Sequence, residues 1–358
     1  MKFIRILFVL FIIAILAVCG VSYWLYSSLN KQHQHDKAGK FIKIEKGTSP
    51  NEIIAKLANE GIIASEYPAL VYLRTFGDSS KLQAGDYNFE SPITPLQVIA
   101  ELEKGKERTV KLTIPEGFTR FDIARRIAEK FPNNPPVDDK AVLLLMEETT
   151  LIKDIAPDAK NLEGYMFPST YEFPPDTKPK EIIERMVNQF KKIWNVDLTN
   201  RAKLMGRTPH QMVTIASLIE TESKYDEERP VVASVIYNRL QKNIPLGIDQ
   251  TAVYVAKMQN RWDGVINKSD LEADSPYNTR KYGGIPPGPI SSVSESAIKA
   301  AFNPAQTDYL YYVLNVENDN GSHNFYSSAA AFEKGKAEYQ KKLEEQRQKK
   351  RQQESNNQ

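Results

Sequence analysis

The sequence predicts an α+β protein in three parts: an N-terminal transmembrane helix, a region of small α/β units, and a mixed α+β domain that carries the chemistry. Three observations lead there. Residues 7–26 (LFVLFIIAILAVCGVSYWLY) form an uncharged, mostly apolar run of about the 20 residues that a bilayer-crossing helix needs. A pattern of strand, glycine turn, polar cap and helix occurs twice, at 44–58 and 114–128. From residue 161 onward, turn-rich aromatic segments alternate with strongly helical ones. With 358 residues the chain has room for two or three compact units. Its 47 Lys+Arg against 45 Asp+Glu leave a formal charge of +2, so no basic footprint points to nucleic acid.

Lys2 and Arg5 precede the apolar run, while Tyr23, Trp24 and Tyr26 stand where its far interface would lie. Positive flanks stay in the cytoplasm, so residues 1–6 are expected inside, 7–29 as a single-pass anchor in the cell (inner) membrane, and the rest outside. A retained anchor is favoured over a cleaved signal. A lipoprotein signal ending at Cys19 would need a small residue before it, and Val18 is not small; Ala17-Val18-Cys19 also lies inside the run, not after it. As the single cysteine, Cys19 excludes an intramolecular disulfide, and its apolar setting makes it a poor nucleophile or metal ligand. Residues 30–40 (NKQHQHDKAGK) read as a solvated tether. His33 and His35 lie in it with no other ligands nearby to make a metal site.

In the repeated pattern, Ile44 to Ser49 leads into 52–58 and Ile114 to Thr119 leads into 122–128. Each cap is followed three residues later by an acid, Ser49 by Glu52 and Thr119 by Asp122, which is the spacing of a capping box. Between the copies, 83–87 (QAGDY) reads as a turn into a strand, and 95–105 (PLQVIAELEKG) as a helix with proline in its first turn and glycine at its end. Over about 20 residues per copy the pattern resembles the LysM module, a binder of N-acetylglucosamine polymers. Any strand–helix unit with glycine at the turn would share it. Residues 41–160 are therefore expected to form a LysM-like region.

Residues 213–223 (VTIASLIETES) carry apolar side chains at Ile215, Ala216, Leu218 and Ile219, the pattern of a largely buried helix ending at two carboxylates. At about 100° per residue, Glu220 borders the buried stripe one turn after Ala216, whereas Glu222 lies about 200° away from it. A carboxylate beside an apolar stripe loses hydration and holds its proton more tightly, as a general acid must. The other reading is that Glu220 simply ends a helix or pairs with a cation such as Arg239. A second helix is expected over 230–241 (PVVASVIYNRLQ), with proline in its first turn. Beyond it, Asp249, Gln250, Thr251 and Tyr254, then Tyr277, Asn278 and Thr279, then 283–290 (GGIPPGPI) place amides, hydroxyls and aromatic faces on stiff loops. Such a surface suits a sugar groove, and ordinary loop chemistry would look similar. No phosphate-binding glycine loop, CxxC or HExxH occurs, and His33, His35, His210 and His323 are scattered, so neither a metal nor a cofactor is expected. The catalytic domain should span 161–335, leaving 336–358 as a polar tail, free of apolar residues from 345 onward.

The runs ASLIETE (216–222) and VASVIYNRL (232–240) resemble the signature of the YceG/MltG family of endolytic murein transglycosylases. Further matches are 162–164 (LEG) with Phe167 and Pro168, the 249–251 segment, 277–279 (YNT), 286–290 (PPGPI), Asn303 with Pro304, 309–311 (YLY), and His323 with Phe325. Gln250 stands where proline is common in the family, which leaves the role of that loop open. The resemblance covers anchor, LysM-like region and catalytic domain in order. It implies that Glu220 is the catalytic residue and that the substrate is the glycan strand of peptidoglycan. In the implied reaction Glu220 protonates the oxygen between N-acetylmuramic acid and N-acetylglucosamine, then takes the proton of the muramic acid C6 hydroxyl as it closes a 1,6-anhydro ring. An intramolecular nucleophile lets one carboxylate act where hydrolases use two. Asp249, Gln250, Thr251, Tyr254, Tyr277, Asn278 and Thr279 are the expected substrate contacts. The family also implies a role in limiting nascent strand length, with peptidoglycan synthases as partners. Two other readings are a glycoside hydrolase with Asp249 as its second carboxylate, and a non-catalytic wall-binding anchor.

Overall fold

A computed structural model describes residues 2–105, 109–132, 135–317 and 320–356. The chain divides into two compact units, Met1–Val110 and Lys111–Gln358.

The first unit begins with α1 (Lys2–Asn30), continues through β1 (Ile42–Ile44), α2 (Pro50–Asn59), α3 (Tyr67–Thr75) and β2 (Gly85–Tyr87), and ends in α4 (Pro95–Lys104). Over Ile6–Asn30 the first helix is long and apolar enough to cross a membrane. Among its described side chains it buries Leu25 and Leu29, near its end, where it meets α3 and α4. β1 and β2 pair antiparallel, with Ile42 opposite Tyr87 and Ile44 opposite Gly85. Ile42 and Ile44 point to one face, where Ile53, Ile54 and Leu57 of α2 and Val98, Ile99 and Leu102 of α4 close a core. The Ser49–Glu52 capping box is formed, as is one between Thr94 and Gln97 at α4. Residues 30–40 do not run free as a tether. His33 exchanges backbone hydrogen bonds of 2.8 and 3.0 Å with Ile93, and the imidazoles of His33 and His35 bond the carbonyls of Gly61 and Glu90. The polar side chains that suggested a solvated linker instead bond backbone carbonyls of neighbouring segments.

The second unit holds β3 (Val110–Thr113), α5 (Arg120–Lys130), α6 (Asp139–Leu145), β4 (Thr170–Phe173), α7 (Pro179–Ile193), α8 (Val196–Leu204), α9 (Pro209–Glu222), α10 (Arg229–Gln241), α11 (Asp249–Met258), α12 (Lys268–Leu271), α13 (Glu295–Phe302), β5 (Tyr311–Leu314), β6 (His323–Tyr326) and α14 (Ala329–Asn356). β3 pairs with β4, and β5 forms an antiparallel hairpin with β6. The Thr119–Asp122 capping box opens α5, so both copies of the repeated pattern carry their predicted caps. The second copy belongs to this unit, because Gly117 and Phe118 exchange backbone bonds with Ser292 at 3.3 and 2.7 Å. The protein is therefore α+β, with three two-stranded sheets among the described residues and helices supplying most of the core.

α9 organises this unit. Every residue from Met212 to Glu220 is buried, on all sides of the helix. Its neighbours are α8, α10, α11 and α13. Thr208 caps it in a box with Gln211, and Pro209 fixes its first turn. The segment 249–254, expected on a loop, instead opens α11. The apolar residues Ala252, Val253, Val255 and Ala256 bury that helix, and no side-chain cap marks its start.

Gly164 sits at φ +82, where an added Cβ would lie 2.5 Å from the Cβ of Pro289 and 3.1 Å from Val213 Cγ1. Gly206, at φ +68, has nothing within 4 Å. Gly164→Ala should therefore cost about 2–4 kcal/mol by chemical denaturation of the full chain in detergent, combining left-handed backbone strain with overpacking. Gly206→Ala should cost about 1 kcal/mol.

Candidate active site

Glu220 ends the buried run of α9 and is only 8% exposed. Both its carboxylate oxygens are engaged: Oε1 accepts from Arg229 Nη2 at 2.8 Å and Oε2 from the backbone N–H of Ser294 at 2.8 Å. Ser294 caps α13, so the carboxylate faces the amide-bearing end of that helix. Burial pushes the carboxyl of Glu220 above its ordinary value. The hydrogen bonds from Ser294 and the charge of Arg229 pull the other way, and the nearby Glu116 adds to the rise.

Local sequence explains how Ser294 arrives there. The stretch 286–294 lies along α9: Ser217 Oγ accepts from the N–H of Ile290 at 3.1 Å, and Ser291 Oγ donates to the Ser217 carbonyl at 3.4 Å. Ser217 stands almost one turn before Glu220 on the same helix. Its hydroxyl therefore sets the path of the chain that delivers the Ser294 amide. Ser292, two residues earlier, holds the 115–118 loop through its backbone, and that loop carries Glu116.

Arg229, 4% exposed at the start of α10, is the cation of the site. Nη1 donates to Ser294 Oγ at 2.8 Å and pairs with Asp226 Oδ1 at 2.9 Å, while Nη2 also reaches Glu116 Oε2 at 3.2 Å. The alternative cation, Arg239, is occupied elsewhere: at the far end of α10 it donates to the carbonyls of Leu310, Pro245 and Leu246. Glu222 also points away from Glu220, as the helix-face argument requires. Its Oε2 accepts the Tyr312 hydroxyl at 2.5 Å, beside the positive side chain of Arg239.

The seven expected substrate contacts fall into one neighbourhood with different degrees of freedom. Asp249 opens α11, half exposed, and pairs with Arg280 at 2.5 Å; Gln250 beside it is exposed. Thr251 and Thr279 are buried and bonded to each other at 3.1 Å, with the Ile248 amide and carbonyl completing their partners. Asn278, also buried, donates to the carbonyls of Leu271 and Ala273 at 3.0 and 2.9 Å. Tyr254 is buried between Phe121 and Tyr277, with ring centroids at 5.9 and 5.1 Å. Thr251 and Thr279 thus spend their polar groups pinning the 277–280 loop to the start of α11, Asn278 pins it to the end of α12, and Asp249, Gln250 and the half-buried Tyr277 keep accessible surface.

Sequence reasoning missed Arg229, Ser294 and Glu116 as parts of the Glu220 site. It also missed Glu163, whose two oxygens accept from the Arg120 N–H at 3.1 and 3.0 Å at the start of α5, beside the Tyr254 hydroxyl. A signal was present in each case: a cation just before the proline of the second signature helix, a serine before a short helix, and acids in IPEG and LEG. Burial raises Glu163 to about 7. Among the described residues, the buried side-chain nitrogens and oxygens without a hydrogen-bond partner are Arg120 Nε and Arg229 Nε. Each belongs to an arginine beside a buried glutamate, so both acids sit in settings where full pairing has been given up.

Known proteins share this architecture. The model of the YceG-like family matches residues 42–338. An endolytic murein transglycosylase of Bacillus subtilis is 33% identical over 329 residues, covering 87% of this chain and 88% of its own length. One from Streptococcus pneumoniae is 28% identical over 303 residues, and the match takes in 54% of that protein, about half its length. The crystal structure of a putative yceG-like protein from Listeria monocytogenes superposes with a TM-score of 0.55 at 30% identity, covering 82% of this chain and 98% of that one.

Glu163 supplies a pH test. A carboxyl that holds its proton more tightly folded than unfolded loses stability as pH rises from its unfolded value, near 4.5, through its folded value of about 7. Glu163→Gln removes that loss. The variant should gain about 2–3 kcal/mol on wild type between pH 5 and 8, and the gap should stay constant above that, as read by denaturation at each pH.

Proposed function

The chain belongs to the YceG-like family, and we propose that, like its Bacillus relative, it is an endolytic murein transglycosylase, a lyase acting on peptidoglycan strands with Glu220 as its acid and base. The observation that carries this reading is Glu220, a buried glutamate with raised proton affinity that closes the ASLIE stretch (216–220), in a chain that matches a murein transglycosylase along nearly its whole length.

Protonated Glu220 donates to the oxygen joining N-acetylmuramic acid to N-acetylglucosamine, and the bond from that oxygen to muramic acid C1 breaks as positive charge builds on the ring. Glu220, now ionised, accepts the proton of the C6 hydroxyl as that oxygen bonds to C1. The product is a 1,6-anhydro end, and the carboxyl has its proton back. No water enters, so no second activating carboxylate is required. The Ser294 N–H and Arg229 suit the ionised half of this cycle, and burial suits the protonated half. Asp249, Gln250 and Tyr277 are the surfaces that contact the strand, on a platform held by Thr251, Tyr254, Asn278 and Thr279. The apolar α1 anchors the enzyme in the inner membrane with its catalytic unit outside the cytoplasm. There it limits the length of new strands beside the synthases that make them.

The test is to incubate the full chain in detergent with un-crosslinked glycan strands and identify the products by mass spectrometry. Anhydro-ended fragments are expected, with Glu220→Gln slower by about 10²–10⁴-fold. Reducing ends would identify a hydrolase, and binding without cleavage a wall anchor.

A further inference from the structure

Around Arg229 three carboxylates share one guanidinium. Glu220 takes Nη2 at 2.8 Å from inside the protein. Glu116, whose side chain is 55% exposed, takes the same nitrogen at 3.2 Å from the 115–118 loop, and Asp226, 70% exposed, takes Nη1 at 2.9 Å from the turn between α9 and α10. Arg229 itself is buried, so its charge can be answered only by these groups and by Ser294 Oγ.

A full positive charge beside a buried acid favours its ionised form and opposes the donation of a proton. We propose that Glu116 and Asp226 are positioning residues that act through Arg229: they draw its charge toward solvent, so that the guanidinium orients Glu220 without stripping its proton. The inference rests on the reading of Glu220 as the acid. Glu116 and Asp226 face water, whereas Glu220 is desolvated, and burial disfavours its charged form. The electrostatic effect of Glu116 on Glu220 has this sign, opposing that of Arg229.

Of the other charged groups on elements packed against α9, Asp197 and Lys203 of α8 are exposed and the rest have partners of their own. Glu295 at the start of α13 pairs with Lys299 at 2.7 Å, Arg201 of α8 bonds Asn303, Lys257 of α11 bonds Asp122, and Asp249 pairs with Arg280. Glu116 is placed independently of its side chain, since the N–H of Gly117 bonds the Ser292 carbonyl and the N–H of Ser292 bonds the Phe118 carbonyl. Replacing its carboxylate by an amide therefore changes charge and leaves the loop attached.

The experiment is a carbon-13 NMR titration of the full chain in detergent, labelled at glutamate side-chain carboxyls, with the Glu220 signal identified by its loss in Glu220→Gln. In Glu116→Gln the Glu220 midpoint should fall by about half to one pH unit, Asp226→Asn should lower it as well, and the double variant should lower it further. Glu116→Asp should restore most of the wild-type value. A midpoint that is unmoved or rises in both single variants overturns the inference. With glycan strands, the alkaline limb of kcat/KM should move down by the same amount in Glu116→Gln; a uniform loss at every pH with the limb unmoved would overturn it by making Glu116 a substrate-contacting residue. The titration needs no turnover. If no anhydro ends form, the proposed function fails while the midpoints still decide this inference; if anhydro ends form and the midpoints stay fixed, only the inference fails.

Discussion

A carboxylate buried at the end of a helix that is itself buried on every side constrains everything around it. Glu220 cannot be left alone there, because an unpaired ion in such a place costs several kcal/mol. The fold answers with one donor from each of two neighbouring helices, Arg229 at the start of α10 and the Ser294 amide at the cap of α13. Both donors must arrive at once. Pro230 in the first turn of α10 and the hydrogen bonds of Ser217 to the 290–291 segment are the local devices that bring them.

The same geometry sets the chemistry. Two donors on the carboxylate favour its ionised form and burial favours its protonated form, and burial has the upper hand. An acid–base that must serve in both states within one catalytic cycle needs neither form to be strongly preferred. Glu163 meets a related conflict: it caps α5 through the Arg120 amide while its own burial drives it toward neutrality. Both glutamates have an arginine whose Nε is buried without a partner. Arg229 bonds Glu220 through its guanidinium, whereas Arg120 serves Glu163 through its backbone N–H and pairs its guanidinium with Glu147.

Periodicity made the helices legible. The apolar stripe of 213–223 marked α9, the face argument separated Glu220 from Glu222, and the Ser/Thr-x-x-acid spacing located the caps at 49 and 119. Three things were hidden because they depend on contacts distant in sequence. Sequence reasoning named Arg239 as a partner for Glu220 and passed over Arg229, because nothing local shows which end of α10 faces that carboxylate. Thr251, Asn278 and Thr279 read as free sugar-binding groups, yet their hydrogen bonds are made across 28 residues or to nearby loop carbonyls. The histidine-bearing 30–40 segment looked solvated because polar composition alone cannot reveal that its peptide groups have partners on a strand-like stretch about 60 residues away.

As the acid, Glu220 must face the bond that breaks. The most direct measurement is a crystal structure of Glu220→Gln holding an uncleaved glycan strand. The account predicts the side-chain amide of residue 220 about 3 Å from a glycosidic oxygen between muramic acid and glucosamine, with the muramic C6 hydroxyl on the same side and Arg229 still bonded to Glu116. A strand seated elsewhere on the protein, with residue 220 touching no sugar, would contradict it.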